Sequence, residues 1–241
     1  MCKRILKADY LRLMSYYFLN EELHFPPVHQ ANRDGVLAIG GDLSIDRLLL
    51  AYRLGIFPWF SEDEPIIWWS PDPRFVLLPE HLKVSKSMKQ VLKKDEFTIT
   101  YDQSFLEVIS SCQSIKREGQ YGTWITSDII EAYYQLHQMG YAHSVEVWKE
   151  EKLVGGLYGV AIGTCFYGES MFTKVSNASK AGFITLVKQL ATKGFTLIDC
   201  QVYTQHLESL GAHYMPRQQF VKKLEGCLTN TTLKGNWGEL L

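Results

Sequence analysis

The spacing of apolar and polar positions changes several times along the chain, and each change predicts an element. Residues 3–19 read as a short helix or an irregular arm. From 25 to 74 turn signals dominate, with FPPVHQANRDG followed by GGDLS. Ser44 then stands as N-cap to IDRLLLAYRLG, where Leu48, Leu49, Tyr52 and Leu54 form an apolar face and Gly55 is a stop. These features predict a small α+β domain that ends near WWSPDPR.

FVLLP opens a second domain as an apolar strand, and Ser85 caps a helix running to about Lys94. FTITYD (97–102) alternates as a strand does, SFLEVISSC is a short helix, and SIKREGQYGT is a loop. TSDIIEAYYQLHQMG has the plainest helical period. Thr126 or Ser127 caps it, Ile129, Ile130, Tyr133, Leu136 and Met139 form the stripe, and Gly140 stops it. HSVEVWKEEKLVGGLYGVAIGTCFYGESMF predicts three consecutive antiparallel strands, with turns at KEEK and Gly163. NASKAGFITLVKQLATKG is a helix, FTLIDCQV a buried strand, and HLESLGAHYMPRQQFVKKL a helix, a turn and a second helix. Helix, three-stranded meander, helix, strand, helix is the order of the GNAT acyltransferase fold. The expected class is α+β: a small N-terminal α+β domain over residues 1–74, with 1–23 an arm, and a GNAT-like domain over 75–241. The second domain should hold a mostly antiparallel mixed sheet flanked by helices. Fold alone does not assign function.

Composition narrows the class. Apolar residues make up 46% and charged residues 21% of the 241, an ordinary balance for a protein with a proper core. A net charge of −1 gives no global pull toward nucleic acid or membrane, so any nucleic-acid site must be local. The five cysteines (Cys2, Cys112, Cys165, Cys200, Cys227) are scattered without C-x-x-C spacing. That argues against a disulfide framework and a zinc site, and suits a reducing cytosol. No apolar run approaches the ~20 residues that span a bilayer. MCKRILKADYLRLMSYYFLNEEL carries charges throughout its apolar part and makes a poor signal peptide. The expectation is a cytoplasmic monomer with no membrane partner, no metal and no cofactor.

Residues 55–74, GIFPWFSEDEPIIWWSPDPR, hold three of the six tryptophans (Trp59, Trp68, Trp69) and four of the eight prolines. Proline removes a backbone donor and fixes φ, so this aromatic-rich segment must be mostly loop. Familiar motifs are missing: there is no G-x-S-x-G, H-E-x-x-H or G-x-x-x-x-G-K-S/T. The glycines of GGLYGVAIG lie inside the strand meander, where a bulge or a close backbone contact explains them. The seven histidines show no metal-ligand spacing.

A more specific constellation remains. LIDCQV sets Asp199 and Gln201 two apart on a strand, hence on one face, where an acid and an amide are costly to bury unpartnered. A satisfied core network would also explain them. FYGESMF sets Glu169 at the end of an apolar strand, as a surface-turn carboxylate or a pocket one. VSNASK offers Ser176 or Asn177 as N-cap of the next helix, whose free N–H groups would suit a phosphate or an oxyanion, or simply be capped. Lys86, Lys89 and Lys93 recur along one helix face, with Lys83 before them, as a track for a nucleic-acid backbone or as a solvated face. Bases stack on exposed indoles for ~1–3 kcal/mol each. A lysine track beside Trp59, Trp68, Trp69 and Trp124 therefore suggests the single-stranded end of an RNA.

Together these residues resemble the leucyl/phenylalanyl-tRNA–protein transferase family. The matching stretches are NRDGVLAIGGDLS, LLLAYRLGIFPWFS, IIWWSPDPRFVL, GTWITSDIIEAY, GYAHSVEVW, LVGGLYGVAIGTCFYGESMF, NASK, LIDCQV and HLESLGA, in order from about residue 32 to 212. The resemblance implies a small N-terminal domain packed on a GNAT-like one. It implies transfer of leucine or phenylalanine from aminoacyl-tRNA to the α-amino group of proteins beginning with arginine or lysine, feeding bacterial N-end-rule degradation. By the same resemblance Trp59 and Trp124 sandwich the terminal adenine of the tRNA, and Leu157, Phe166 and Met171 line the aminoacyl side-chain pocket. Leu186 stands at a pocket position where some members carry an aromatic. Glu169, Asp199 and Gln201 match the polar site residues. Asp199 and Gln201 would orient the amine and relay its proton, Glu169 would help to bind the cationic first residue, and strand alternation would point Cys200 away from the pair. Trp68 and Trp69 would brace the domain junction. One alternative is an acyl-CoA-dependent N-acetyltransferase on the same fold, although TKVSNASKAG lacks the Q/R-x-x-G-x-G/A pyrophosphate loop. The other is a non-enzymatic tRNA- or peptide-binding adaptor.

Overall fold

The structure, a computed structural model, describes residues 16–115 and 123–241. The turn-rich segment before residue 74 builds a four-stranded sheet from β1 (Tyr17–Leu19), β2 (Val36–Gly40), β3 (Phe57–Pro58) and β4 (Ile67–Trp69). Its order is β1-β2-β4-β3, with β1 parallel to β2 and the other pairs antiparallel. β1 replaces the helical option for the last residues of the predicted arm. The rest of that arm up to residue 15, and residues 116–122 of the predicted loop, lie outside the described residues. Pro58 sits in the edge strand β3, where a missing donor costs little. Between β2 and β3 runs α1 (Ile45–Arg53), capped by Ser44, whose Oγ accepts from the backbone N of Arg47 at 3.4 Å. Leu48 and Tyr52 are fully buried, whereas Leu54 is exposed beyond the apolar face, and Gly55 ends the helix at φ +74°.

The larger sheet contains β5 (Arg74–Leu77), β6 (Thr98–Tyr101), β7 (Ala142–Lys149), β8 (Lys152–Ile162), β9 (Cys165–Thr173), β10 (Leu197–Gln201) and β11 (His213–Met215). Its order is β11-β5-β10-β9-β8-β7-β6, antiparallel except for β9 against β10. The predicted three-stranded meander is β7–β8–β9. β11 stands where a turn was expected: three residues are too short for alternation to show. The remaining helices are α2 (Lys86–Lys93), α3 (Phe105–Ser114), α4 (Ser127–Gln138), α5 (Ala178–Thr192), α6 (Gln205–Ser209), α7 (Arg217–Leu228) and α8 (Trp237–Leu240). Thr126, not Ser127, caps α4, accepting from the N of Ile129 at 3.3 Å. No helix among the described residues is long and apolar enough to cross a membrane. The α+β class and the helix–meander–helix–strand–helix order are those read from the sequence.

One apolar cluster joins Leu37, Leu48, Tyr52 and Trp68 to Tyr133, Tyr158 and Phe220, so the two sheets share a core. Each such fully buried side chain contributes roughly 1.5–3 kcal/mol. A second cluster lies between α5 and the larger sheet. At the start of α5, in a separate small cluster of Val147, Val154 and Ala178, a Cβ on Gly155 would come within 2.7 Å of the Ala178 Cβ, so glycine sets how closely α5 approaches β8.

Three bulges interrupt the larger sheet; one leaves Val154 as the extra residue of β8 against β7, and the other two bear on the site. Tyr158 pairs with Ser170 and Gly159 with Gly168, which leaves Glu169 as the extra residue of β9. In β10, Asp199 lies opposite Val76 and Gln201 opposite Phe75, which makes Cys200 the extra residue and puts Gln201 at φ +62°. Bulges re-aim side chains and break the face alternation that a strand's sequence implies.

Candidate functional site

The parallel pairing of β10 with β9 ends at Asp199 opposite Tyr167, and beyond it opens a cleft of about 480 Å³. Both bulged segments form its wall. Glu169 is not at a strand end, as expected, but in the middle of β9, on the cleft wall. Its Oε1 accepts from the Tyr52 hydroxyl at 2.8 Å and from Gln201 Nε2 at 2.8 Å, and its Oε2 from the Tyr133 hydroxyl at 3.1 Å. The two tyrosine hydroxyls also lie against each other; each carries one proton, so the carboxyl's own proton completes the three contacts when Glu169 is protonated. Burial pushes the Glu169 carboxyl up to about 7, against the lowering effect of the Tyr52, Tyr133 and Gln201 bonds, with the nearby Asp199 charge adding to the rise. Burial likewise drives both tyrosine hydroxyls well above the ordinary phenol range. They remain neutral donors, while Glu169 can take and release a proton near neutrality. With its amide nitrogen committed to Glu169, Gln201 offers its carbonyl oxygen as an acceptor.

Asp199 is elsewhere. The bulge separates it from Gln201, so the expectation of one shared face does not hold. Asp199 is fully buried and off the cleft wall, bound through Oδ1 and Oδ2 by Arg74 Nε and Nη2 at 2.8 and 2.7 Å. Its Oδ1 also accepts from the backbone N of Gln201 at 2.9 Å. Cys200, expected to point away, lines the cleft with Gln201. Burial, with the Asp199 charge, pushes its thiol far above the usual range, which leaves it a poor nucleophile.

Trp59 and Trp124 both line the cleft and also an adjoining cavity of about 410 Å³. Trp59 is 37% exposed and Trp124 8%. Trp69 props the first of them, donating from Nε1 to the Trp59 carbonyl at 2.6 Å with ring centroids 5.4 Å apart. Trp68 is fully buried, its Nε1 on the Gly40 carbonyl at 2.9 Å. Of the four apolar pocket residues expected, Leu157 and Met171 are on the wall. Phe166 and Leu186 are fully buried in the core behind it. The aromatic that α5 contributes is Phe183, one turn before Leu186. Ser176 is exposed, and Asn177 holds the N-cap position of α5 at φ +68° without a side-chain capping bond. The residue of that helix start which reaches the cleft is Ser179. Lys83, Lys86, Lys89 and Lys93 are exposed and none lines the cleft; α2 packs its one buried residue, Met88, into the same core cluster as α5.

Sequence reasoning missed Tyr52, Tyr133, Phe183 and Arg74. The two tyrosines were assigned to apolar helix stripes, and both are buried there. The available signal was chemical: a buried phenol needs a hydrogen-bond partner, so tyrosine on such a stripe points to a polar group opposite. Among the described residues no three His, Cys, Asp or Glu side chains gather as a metal site would need.

A family profile described as leucyl/phenylalanyl-tRNA protein transferase matches residues 76–225, and one for the N-terminal domain of that transferase matches residues 41–72. The chain is 58% identical over 209 residues to the leucyl/phenylalanyl-tRNA–protein transferase of Flavobacterium johnsoniae, covering 87% of this chain and 99% of that one. It is 56% identical over 219 residues to the protein of the same name from Syntrophus aciditrophicus, covering 91% and 92%. Among solved structures, an aminoglycoside acetyltransferase from an uncultured soil metagenomic sample, in complex with sisomicin, is similar with a TM-score of 0.37 at 12% identity, over 55% of this chain and 89% of that one.

Proposed function

The chain belongs to the leucyl/phenylalanyl-tRNA–protein transferase family, and from that premise we propose how its cleft performs the reaction. It is an aminoacyltransferase that moves leucine or phenylalanine from aminoacyl-tRNA to protein N-termini, in keeping with an N-end-rule role. The acetyl-CoA and adaptor alternatives give way to this reading. The acceptors begin with arginine or lysine; Glu169, the one carboxylate on the cleft wall among the described residues, supports the approach of their cationic α-ammonium end. The terminal adenine stacks between Trp59 and Trp124, supported by the two cavities they share. The leucyl or phenylalanyl side chain enters the apolar wall of Leu157, Met171 and Phe183. The exposed lysines of α2 and Lys83 follow the tRNA backbone.

An aminoacyl ester is already activated, so orientation can supply much of the rate gain. The acceptor's α-amine, with a pKa of ~8, arrives largely as an ammonium ion. Glu169 receives it and takes one proton, an exchange close to balance because its own pKa is about 7. The Gln201 carbonyl accepts a remaining N–H and aims the lone pair at the ester carbonyl carbon. The new C–N bond forms, the bond to the ribose oxygen breaks, and that oxygen carries away the second proton lost by nitrogen. Asp199 acts here as a positioning residue, supported by its burial and its bond to the Gln201 backbone.

The division between the small N-terminal domain (1–74) and the catalytic domain (75–241) is supported by the change of sheet between β4 and β5. A cytoplasmic location is supported by the thiols of Cys165, Cys200 and Cys227, which form no disulfide. The observation that carries the mechanism is the Glu169–Gln201 pair, held by two tyrosines, on the wall beside Trp59. Incubation of leucyl-tRNA with an arginine-initiated peptide should add the mass of one leucine residue at the peptide's N-terminus. Addition of an acetyl group from acetyl-CoA instead, or tRNA binding with no transfer, would defeat it.

A further inference from the structure

We propose that Arg74 is a positioning residue for aminoacyl transfer: it locks Asp199, and Asp199 holds Gln201 in the backbone conformation that delivers its amide to Glu169. This rests on the assignment of Gln201 to the reacting amine.

Arg74 opens β5 with its side chain fully buried. Its guanidinium is held between the rings of Phe57 and Phe220, each 4.7 Å from Cζ. Two nitrogens meet Asp199 in a bidentate fork. The third, Nη1, is buried and finds no hydrogen-bond partner among the described residues. Buried ion pairs are often matched or bettered in stability by apolar groups of like volume, and an orphaned donor adds to their cost. The arrangement satisfies the carboxylate at the arginine's expense.

The Asp199 carboxylate has a second task. It binds the N–H of Gln201, two residues on, across the bulge at Cys200. Gln201 stands in the left-handed region at φ +62°, disfavoured for a residue with a side chain unless its surroundings hold it there. That conformation returns Gln201 to the cleft side and puts Nε2 on Glu169. A simple alternating strand would turn the amide away. Phe57, one face of the clamp, directly precedes Pro58 and Trp59 on the cleft wall. Arg74 thus ties the segment that meets the tRNA end to the residue that meets the amine.

The test is Arg74→Lys, which keeps the charge and loses the fork. With leucyl-tRNA and an arginine-initiated peptide, kcat per folded molecule should fall about 10- to 100-fold, as small misplacements of a reacting group do, with both KM values moving far less. The acidic limb of the kcat–pH profile should move to higher pH, because Glu169 loses the Gln201 donor that lowers its pKa. Asp199→Asn should make the Arg74→Lys loss non-additive, since both act through one path. Independently of activity, the backbone N–H of Gln201 should exchange with solvent at least about tenfold faster in Arg74→Lys, as its opening becomes easier. An unaltered kcat with only a lowered Tm, multiplicative losses in the double variant, or unchanged exchange of that amide would each overturn the proposal. If Arg74→Lys does not fold, Phe220→Leu loosens the guanidinium without removing it and takes the same readouts. Should the parent protein transfer no leucine, the functional reading fails, while the exchange measurement still decides the clamp.

Discussion

Glu169 and Asp102 are both carboxylates in the interior, each bound by three donors, and their donors differ in kind. Asp102 accepts from the backbone N of Ser144 at 2.9 Å, the backbone N of Trp237 at 2.7 Å and His143 Nδ1 at 2.9 Å. The His143 ring stacks on Trp237 at 3.7 Å and 4°. This closed cluster pins α8 to β7. Glu169 accepts only from side chains, carried by α1, α4 and β10, and its fourth side opens on a cleft. Backbone amides cannot turn away when a ligand arrives; tyrosine and glutamine side chains can. A satisfied buried carboxylate is therefore ordinary structure, and what makes one a candidate for chemistry is mobile donors and an open side.

The largest effect should separate the two at once. Glu169→Gln is expected to lower kcat about 10²- to 10⁴-fold, the usual contribution of a placed proton acceptor, without lowering the unfolding midpoint. Asp102→Asn should leave kcat of the folded protein within about twofold and cost roughly 1–3 kcal/mol in urea unfolding, the value of a spoiled buried polar group. A comparable loss of kcat in Asp102→Asn would break the comparison.

Next in size are two opposite pH effects on stability. Glu169 is raised from 4.5 to about 7, so across that interval the folded state holds a proton that the unfolded state has lost. Stability should fall as pH rises through the window, by at most about 3 kcal/mol, and Glu169→Gln should flatten the slope. His143 is lowered from 6.5, chiefly by burial against the pull of Asp102, so below 6.5 the unfolded state binds the extra proton. Stability from that region should drain as pH falls. Parallel slopes for Glu169→Gln and the parent would remove the first effect.

Smaller still, Trp59→Ala should raise KM for aminoacyl-tRNA by the equivalent of ~1–3 kcal/mol while kcat at saturation is kept. Trp59 sits on the open region of the comparison, and an unchanged KM would take it out of tRNA binding. Smallest is the exposed lysine row. Replacing Lys86, Lys89 and Lys93 with glutamine should reduce the slope of log binding against log salt by up to about 3, without dependence on tRNA sequence. An identical slope would mark the row as a solvated face.

What the sequence by itself determined is the succession of the longer helices and of the central strands, though not the three-residue strands β1 and β11. Ser44, Ser85 and Thr126 cap the helices expected of them, and β7–β8–β9 follows from apolar runs broken at KEEK and Gly163. Caps and periods are local, so a local reading finds them. The candidate chemistry was legible as residue types: Glu169, Gln201 and Trp59 stand on the cleft wall. Their partnerships were not. Alternation put Asp199 beside Gln201 and Cys200 opposite, and a bulge set by the register of β10 on β5 reversed that. Phe183 rather than Leu186 reaches the cleft because the packing of α5 on the sheet fixes its rotation. Tyr52 and Tyr133, 81 residues apart, meet on Glu169 only where α1, α4 and β9 converge. A period states which side of an element is apolar; cross-strand register and helix packing, which depend on distant residues, state what each side faces.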